Sequence, residues 1–291
     1  MSPLFNPLKD HVYCQAPNAI VMEDRVRIYY TSRHISSPTL SEGFWVDMDK
    51  DLKSILDMGT QPILSKSMPG CFDDCGTYPI SVMKHNDTYM AYYGGWTHLK
   101  TVPFDISIGM AISSDGKTFA RLGNGPVLTK SIHHQSVITS PKIRHYDGFY
   151  YLYCTVGTGQ WINGHPIYKL HVSMSSDGVA WGKLKPLIDH GDAQACPDVF
   201  YFKGIYHLFY CHRKAGNGNT DYRISHAIAN SPTGEFKFVS DLDLPRSIHD
   251  NQCQAYPNVF NVDDKVFMLY NGNKVNGILF KQLKGDLNEG F

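Results

Sequence analysis

A short pattern built around a proline recurs five times along the 291-residue chain, and it restricts the possible folds more than any other feature. The copies are Gln15-Ala16-Pro17-Asn18-Ala19-Ile20, Thr77-Tyr78-Pro79-Ile80-Ser81-Val82, Thr139-Ser140-Pro141-Lys142-Ile143, Ala195-Cys196-Pro197-Asp198-Val199-Phe200 and Ala255-Tyr256-Pro257-Asn258-Val259-Phe260. The prolines stand at 17, 79, 141, 197 and 257, a spacing of about 60 residues. After each copy comes a tight turn rich in Asp, Asn and Gly, then an aromatic stretch such as Val26-Arg27-Ile28-Tyr29-Tyr30 or Tyr150-Tyr151-Leu152-Tyr153. That order reads as a hairpin. A third strand follows near 44–48, 106–113, 168–175, 222–229 and 277–281, and a turn with a short fourth strand completes most units.

A repeat of this period means one supersecondary unit used again and again. Four antiparallel strands per unit, repeated radially, make a propeller blade. No stretch keeps a helical period over several turns. The expected fold is therefore all-β: a single five-bladed β-propeller spanning 1–291, with blades starting near 14, 76, 138, 194 and 254. The fifth unit stops soon after its third strand, so residues 3–8 are expected to supply its outer strand and cover an open edge.

Composition narrows the function. A hydrophobic share of 42% is enough for a sizeable core, and a charged share of 19% with zero formal net charge argues against disorder. Zero net charge also argues against nucleic acid or a membrane as partner. No apolar run approaches a membrane span. The first ten residues lack a basic segment followed by an apolar one. Seven cysteines, an odd number without a CxxC pair, do not form a disulfide framework. A reducing cytoplasm is the expected location, and a closed ring is expected to stand as a monomer or weak oligomer.

The stretches Arg25-Val26-Arg27-Ile28-Tyr29-Tyr30-Thr31-Ser32-Arg33, Cys71-Phe72-Asp73-Asp74-Cys75-Gly76-Thr77-Tyr78-Pro79, Tyr93-Gly94-Gly95-Trp96, Tyr222-Arg223-Ile224-Ser225-His226-Ala227 and Tyr270-Asn271-Gly272-Asn273 carry a family resemblance. With the repeat, the chain resembles the five-bladed glycoside hydrolase superfamily of arabinanases, xylosidases, invertases and β-mannoside phosphorylases, and a group of bacterial glycosidase-like proteins of this length. The resemblance implies a carbohydrate-active protein with carboxylates on its innermost strands. In arabinanase-like and invertase-like members an acid adjoins the strand proline in several blades. This chain departs from that pattern, having Ala16, Tyr78, Ser140, Cys196 and Tyr256 there. The turns Ser113-Ser114-Asp115-Gly116 and Ser175-Ser176-Asp177-Gly178 resemble the Asp-box turns of sialidases and read as blade punctuation.

Glycoside cleavage normally needs two carboxyl groups, one protonated and one ionised. The acids just upstream of the prolines are Asp73, Asp74, Asp192 and Asp250. On an extended strand neighbouring residues face opposite ways, so Asp74, at even spacing from Gly76 and Tyr78, is the better channel-facing candidate. Asp192 is the expected general acid and Asp74 the general base, about 6.5–9.5 Å apart for an inverting reaction. Capping of a turn is the alternative role for Asp73 and Asp74, and Asp250 also suits the start of the fifth blade's loop.

A cationic set, Arg33, Lys169, Arg213 and Arg223, sits at strand ends near the channel mouth, and arginine forks hold carboxylate or phosphate at two points. Trp96, Trp161, Tyr78 and Tyr256 are candidates to stack on sugar, and Asn271, Asn273 and His226 to bond its hydroxyls. Cys196 occupies an innermost-strand position. His11, His133 and His134 lack ligand spacing, so no metal and no cofactor are expected. The expected ligand is a small carbohydrate or an anionic sugar derivative. Three readings stay open: a glycosidase, a phosphorylase or nucleotide-sugar- or sugar-phosphate-processing enzyme with an Arg/Lys anion site, and a non-catalytic sugar-binding propeller.

Overall fold

A computed structural model describes residues 2–191, 193–216, 221–244 and 246–283. Blade 1 consists of β1 (His11–Val21), β2 (Val26–His34), β3 (Glu42–Met48) and β4 (Ile55–Met58). Blade 2 consists of β5 (Thr77–His85), β6 (Thr88–His98), β7 (Phe104–Ser113) and β8 (Ala120–Arg121). Blade 3 holds β9 (Ile138–Tyr146), β10 (Phe149–Ile162), β11 (His165–Ser175) and β12 (Lys185–Pro186). Blade 4 holds β13 (Ala193–Phe202), β14 (Ile205–Arg213), β15 (Arg223–Ala229) and β16 (Lys237–Asp241). Blade 5 holds β17 (Ala255–Val262), β18 (Lys265–Asn271) and β19 (Ile278–Leu283).

Each sheet runs in chain order with antiparallel neighbours. The inner strands β1, β5, β9, β13 and β17 pack in sequence around an axis, and β17 returns to β1. The fold is the five-bladed propeller expected from the repeat. Among the described residues blade 5 has three strands. Residues 3–8 adjoin its outer strand, but through one backbone bond, Leu4 N–H to the Ile278 carbonyl at 2.8 Å, rather than as a ladder strand. Pro3 and Pro7 have no N–H to donate, which works against a continuous ladder. Phe5 instead inserts between blades 5 and 1, 5.1 Å from the Tyr30 ring.

Apolar clusters fill the boundaries between blades. Tyr29, Tyr92 and Tyr153, the repeated tyrosines of the second strands, are fully buried there. A buried phenol needs a hydrogen-bond partner. These donate to backbone carbonyls of the next blade: Tyr29 to Gly116 (2.7 Å), Tyr92 to Gly178 (2.5 Å) and Tyr153 to Pro232 (2.9 Å). The two Ser-x-Asp-Gly turns therefore have a structural role. Asp115 and Asp177 close them by accepting from Lys117, Thr118, Val179 and Ala180 N–H, and their glycine carbonyls clasp the preceding blade.

A second ring of clasps runs nearer the axis, just after the prolines. The Asn18 side chain accepts from Val82 N–H (3.0 Å) and donates to its carbonyl (3.2 Å). Ser81 accepts from Ile143 N–H, and Arg144 donates to the Val199 carbonyl. Asp198 accepts from Val259 N–H (2.7 Å), and Asn258 accepts from Ala19 N–H (2.6 Å). Every blade boundary, including the closing one, is thus tied by a side chain to the next inner strand. Asp198 also binds Arg144 and Asn258 and lies 4.0 Å from the Lys142 amine. Burial is the main cause that pushes Lys142 down to about 8.

Candidate functional site

At each X-Pro step the inner strand loses register with its partner. Ala16, Ser140, Cys196 and Tyr256 take φ between 49° and 56° there. For non-glycine residues that backbone costs on the order of 1 kcal/mol each. A bulge re-aims a side chain out of the ladder. The X side chains consequently leave the sheets and turn to the axis. Ser140, Cys196 and Tyr256 line both an axial cavity of about 200 Å³ and the narrow channel beneath it, while Tyr78 lines the cavity alone and Ala16 the channel alone.

Thr139 and Ala195 on the inner strands add to the wall, and most of the rest comes from second and third strands: Arg33 on β2, Trp96 on β6, Phe104 and Ile106 on β7, Thr155 on β10, His165 and Tyr168 on β11, Arg213 on β14, and Tyr222 just before β15. All five blades contribute. The Tyr78 and Tyr256 hydroxyls meet at 2.8 Å. Burial pushes both phenols, with Tyr168 and Tyr222, well above the usual tyrosine range, so they are neutral hydrogen-bonding groups at physiological pH. Trp96 is held by its Nε1–H to Ser41 Oγ (2.6 Å), and the Arg33 guanidinium sits 5.3 Å from its ring. Thr155 Oγ1 accepts from Cys196 N–H (2.9 Å), fixing the bulge that presents the Cys196 thiol.

Of the residues singled out from sequence, Arg33, Trp96, Arg213, Tyr256, Tyr78 and Cys196 come together here. Phe104, His165, Tyr168 and Tyr222 join them unannounced. Their position at the start of a third strand, opposite the end of an already suspected second strand, was the available signal.

Asp73, Asp74 and Asp250 do not line the cavity. Asp73 is buried against Arg121 (2.8 Å) and accepts from the Tyr93 hydroxyl (3.2 Å). Asp74 accepts from Gly70 N–H (2.9 Å) and so closes a turn. The strand-parity argument fails because both acids lie in a turn before β5, not on an extended strand. Gly76 allows a close approach, but to blade 1: a Cβ there would sit 2.0 Å from the Ser41 carbonyl oxygen. Asp250 accepts from Ser247 N–H and Oγ, Gln254 and Tyr270, and these bonds hold its carboxyl below the usual range against burial, the largest influence, which raises it. Asp192 lies outside the described residues.

Six other candidates also stand away from the cavity; Trp161 is one, packed edge-on behind Phe104 with ring centroids 5.4 Å apart. Asn271 is fully buried, accepting from Ala16 N–H (2.7 Å) and donating to the Cys14 carbonyl (2.9 Å), so it joins blade 5 to blade 1. Asn273 organises a loop through Gln252 and Cys253 N–H. His226 stacks between Phe209 and His207 inside blade 4. Arg223 donates to the Tyr222 and Gln252 carbonyls. Lys169 pairs with Asp189 (2.6 Å) and lines a separate open depression with His133, His134 and His171. Among the described residues no group of three or more His, Cys, Asp or Glu side chains is arranged to hold a metal ion.

No protein-family model matches the chain. A protein of Mycobacterium tuberculosis H37Rv described as uncharacterized protein Rv1502, and its counterpart MT1551 in strain CDC 1551, are each 30% identical over 259 residues, 86% of this chain and 84% of theirs. The chain belongs to the family of Rv1502. Solved structures extend the likeness in fold. A glycoside hydrolase superposes with TM-score 0.74 at 13% identity over 98% of this chain and 91% of its own. A thermostable family-43 glycoside hydrolase gives TM-score 0.69 at 14% identity, covering 98% and 94%. The GH43_1 enzyme of Xanthomonas citri complexed with xylose gives 0.67 at 15%, covering 99% and 90%. This member of the Rv1502 family therefore has the five-bladed propeller fold of family-43-type glycoside hydrolases.

Proposed function

We propose that this chain is a carbohydrate-active protein that receives one small saccharide in the axial cavity. The observation that carries the reading is the composition of the cavity wall. Aromatic faces (Trp96, Phe104, Tyr168, Tyr222) stand beside neutral hydroxyls (Tyr78, Tyr256, Thr139, Ser140, Thr155). Sugars present apolar C–H faces and a rim of hydroxyls, which such a wall matches. The volume falls below the ~300 Å³ lower end of drug-sized sites and suits a single ring. The fold shared with a xylose-bound glycoside hydrolase supports the same reading. Calorimetric titration of monosaccharides and disaccharides tests it: a sugar should bind, and Trp96→Ala should weaken it at least tenfold. Absence of any saccharide binding, or binding indifferent to Trp96→Ala and Tyr256→Ala, sinks it.

Hydrolysis of a glycosidic bond is the second reading, supported by the glycoside hydrolases that share the fold. It keeps Asp192 as general acid and gives Asp74 no part in the chemistry, because Asp74 closes a turn away from the cavity. Turnover of aryl glycosides, abolished in Asp192→Asn and kept in Asp74→Asn, is the expected result. Turnover surviving in Asp192→Asn removes that acid, and absence of turnover with intact binding leaves a sugar-binding propeller.

A further inference from the structure

We infer that the saccharide is an anion, carrying a carboxylate or a phosphate that Arg33 and Arg213 hold; this rests on the saccharide reading of the cavity. Arg213 is 3% exposed, yet the groups it bonds are neutral: the Tyr222 hydroxyl (3.2 Å) and the carbonyls of Lys214 (3.3 Å) and Pro166 (3.0 Å). Arg33 donates Nη1 to the Pro38 carbonyl (3.0 Å), rests near the Trp96 and Tyr13 rings, and keeps its Nε buried without a partner. No carboxylate of the described residues lines the cavity or forms an ion pair with either guanidinium.

That arrangement differs from the ones Arg27, Arg121 and Arg144 make. Arg27 is forked onto Asp47 at 2.7 and 2.8 Å. Arg121 meets Asp73, and Arg144 meets Asp198. A guanidinium out of water carries a desolvation penalty that neutral acceptors only partly offset. Buried Arg213 and half-buried Arg33 face one cavity on whose wall the described residues supply no counter-charge, and they form half of an electrostatic pair. A planar carboxylate or a phosphate supplies the other half, since either accepts several N–H bonds at once. The Tyr78, Tyr256, Thr and Ser hydroxyls then remain for the sugar's own hydroxyls. Water exclusion by Phe104, Ile106 and Trp96 strengthens the attraction.

The test is calorimetric titration and thermal shift on the full chain with glucose, galactose, glucuronate, galacturonate, glucose 1-phosphate, glucose 6-phosphate and inorganic phosphate. At least one acidic sugar should bind tenfold or more tightly than its neutral parent and weaken as salt rises. Arg33→Met should abolish that preference, weakening the acidic sugar at least tenfold and weakening it more than the neutral parent, so that the two affinities converge. Arg213→Met should do the same; Arg33→Met keeps the test valid if burial of Arg213 makes its variant unstable. Preference for uronates assigns a carboxylate, and preference for sugar phosphates assigns a phosphate. Equal binding of neutral and acidic sugars overturns the inference and leaves the saccharide reading intact. Binding of inorganic phosphate but no sugar overturns the saccharide and retains the anion site. No binding by any probe overturns both.

Discussion

The hydroxyls of Tyr78 and Tyr256 meet 2.8 Å apart although their blades are not neighbours in the ring. Blade 1 lies between blades 2 and 5, and at the same X-Pro position it contributes only the methyl group of Ala16. The small residue leaves room for the two phenols to join above it and form part of the cavity floor. A hydrogen bond of this kind contributes about 1 kcal/mol. Tyr78→Phe and Tyr256→Phe should each lose about that much stability in urea denaturation, and the double variant should lose less than the sum. Strictly additive losses would show that the hydroxyls do not depend on each other.

The inner ring of clasps should govern global stability. Asn258→Ala strands the buried Ala19 N–H and should cost about 1–3 kcal/mol. Asp198→Ala leaves Arg144 and the Val259 N–H without their acceptor and should cost more, about 3–5 kcal/mol. Equilibrium denaturation of the two variants checks both the size and the order of the losses.

Asp73 separates a structural acid from a functional one. Its carboxylate is 1% exposed and joined to Arg121. Asp73→Asn should lower stability by about 1–3 kcal/mol while leaving saccharide affinity within twofold of the parent. A variant with normal stability and lost binding would move Asp73 into the site.

His226 makes stability depend on acid. Burial, and then the neighbouring His207, push it down to about 3. A base with a folded-state pKa below its unfolded value keeps full stability above about pH 6.5. It loses stability as pH falls from there towards 3, because the unfolded chain takes the proton first. The loss should reach about 2 kcal/mol by pH 5. His226→Phe, beside the stacked Phe209, should flatten this slope relative to the parent protein when denaturation is followed from pH 7.5 to 5. Parallel curves for the two proteins would assign the acid sensitivity to other groups.

Part of the site was legible in the chain. Arg33, Trp96, Arg213 and Tyr256 were found because they stand at strand ends or beside the repeated proline, where the repeat itself marks the axis. Parity points Asp74 at the channel only on an extended backbone, and its segment is a turn. Asn271 reads as a sugar-binding group in the sequence because nothing local reveals that the Ala16 N–H, 255 positions away, will need its side-chain oxygen.

The architecture is written in the amino-acid order alone, since strand and turn preferences are local and here occur five times over. Proline with a preceding bulge, paired tyrosines and Ser-x-Asp-Gly turns specify blades without reference to anything distant. Which polar groups face the axis and which disappear between blades was decided by closure of the ring. That step brings Asn258 to Ala19 and Arg33 to the same cavity as Arg213. It also determines whether a buried charge meets a counter-ion from another blade, as Arg144 does, or meets none among the described residues, as Arg213 does.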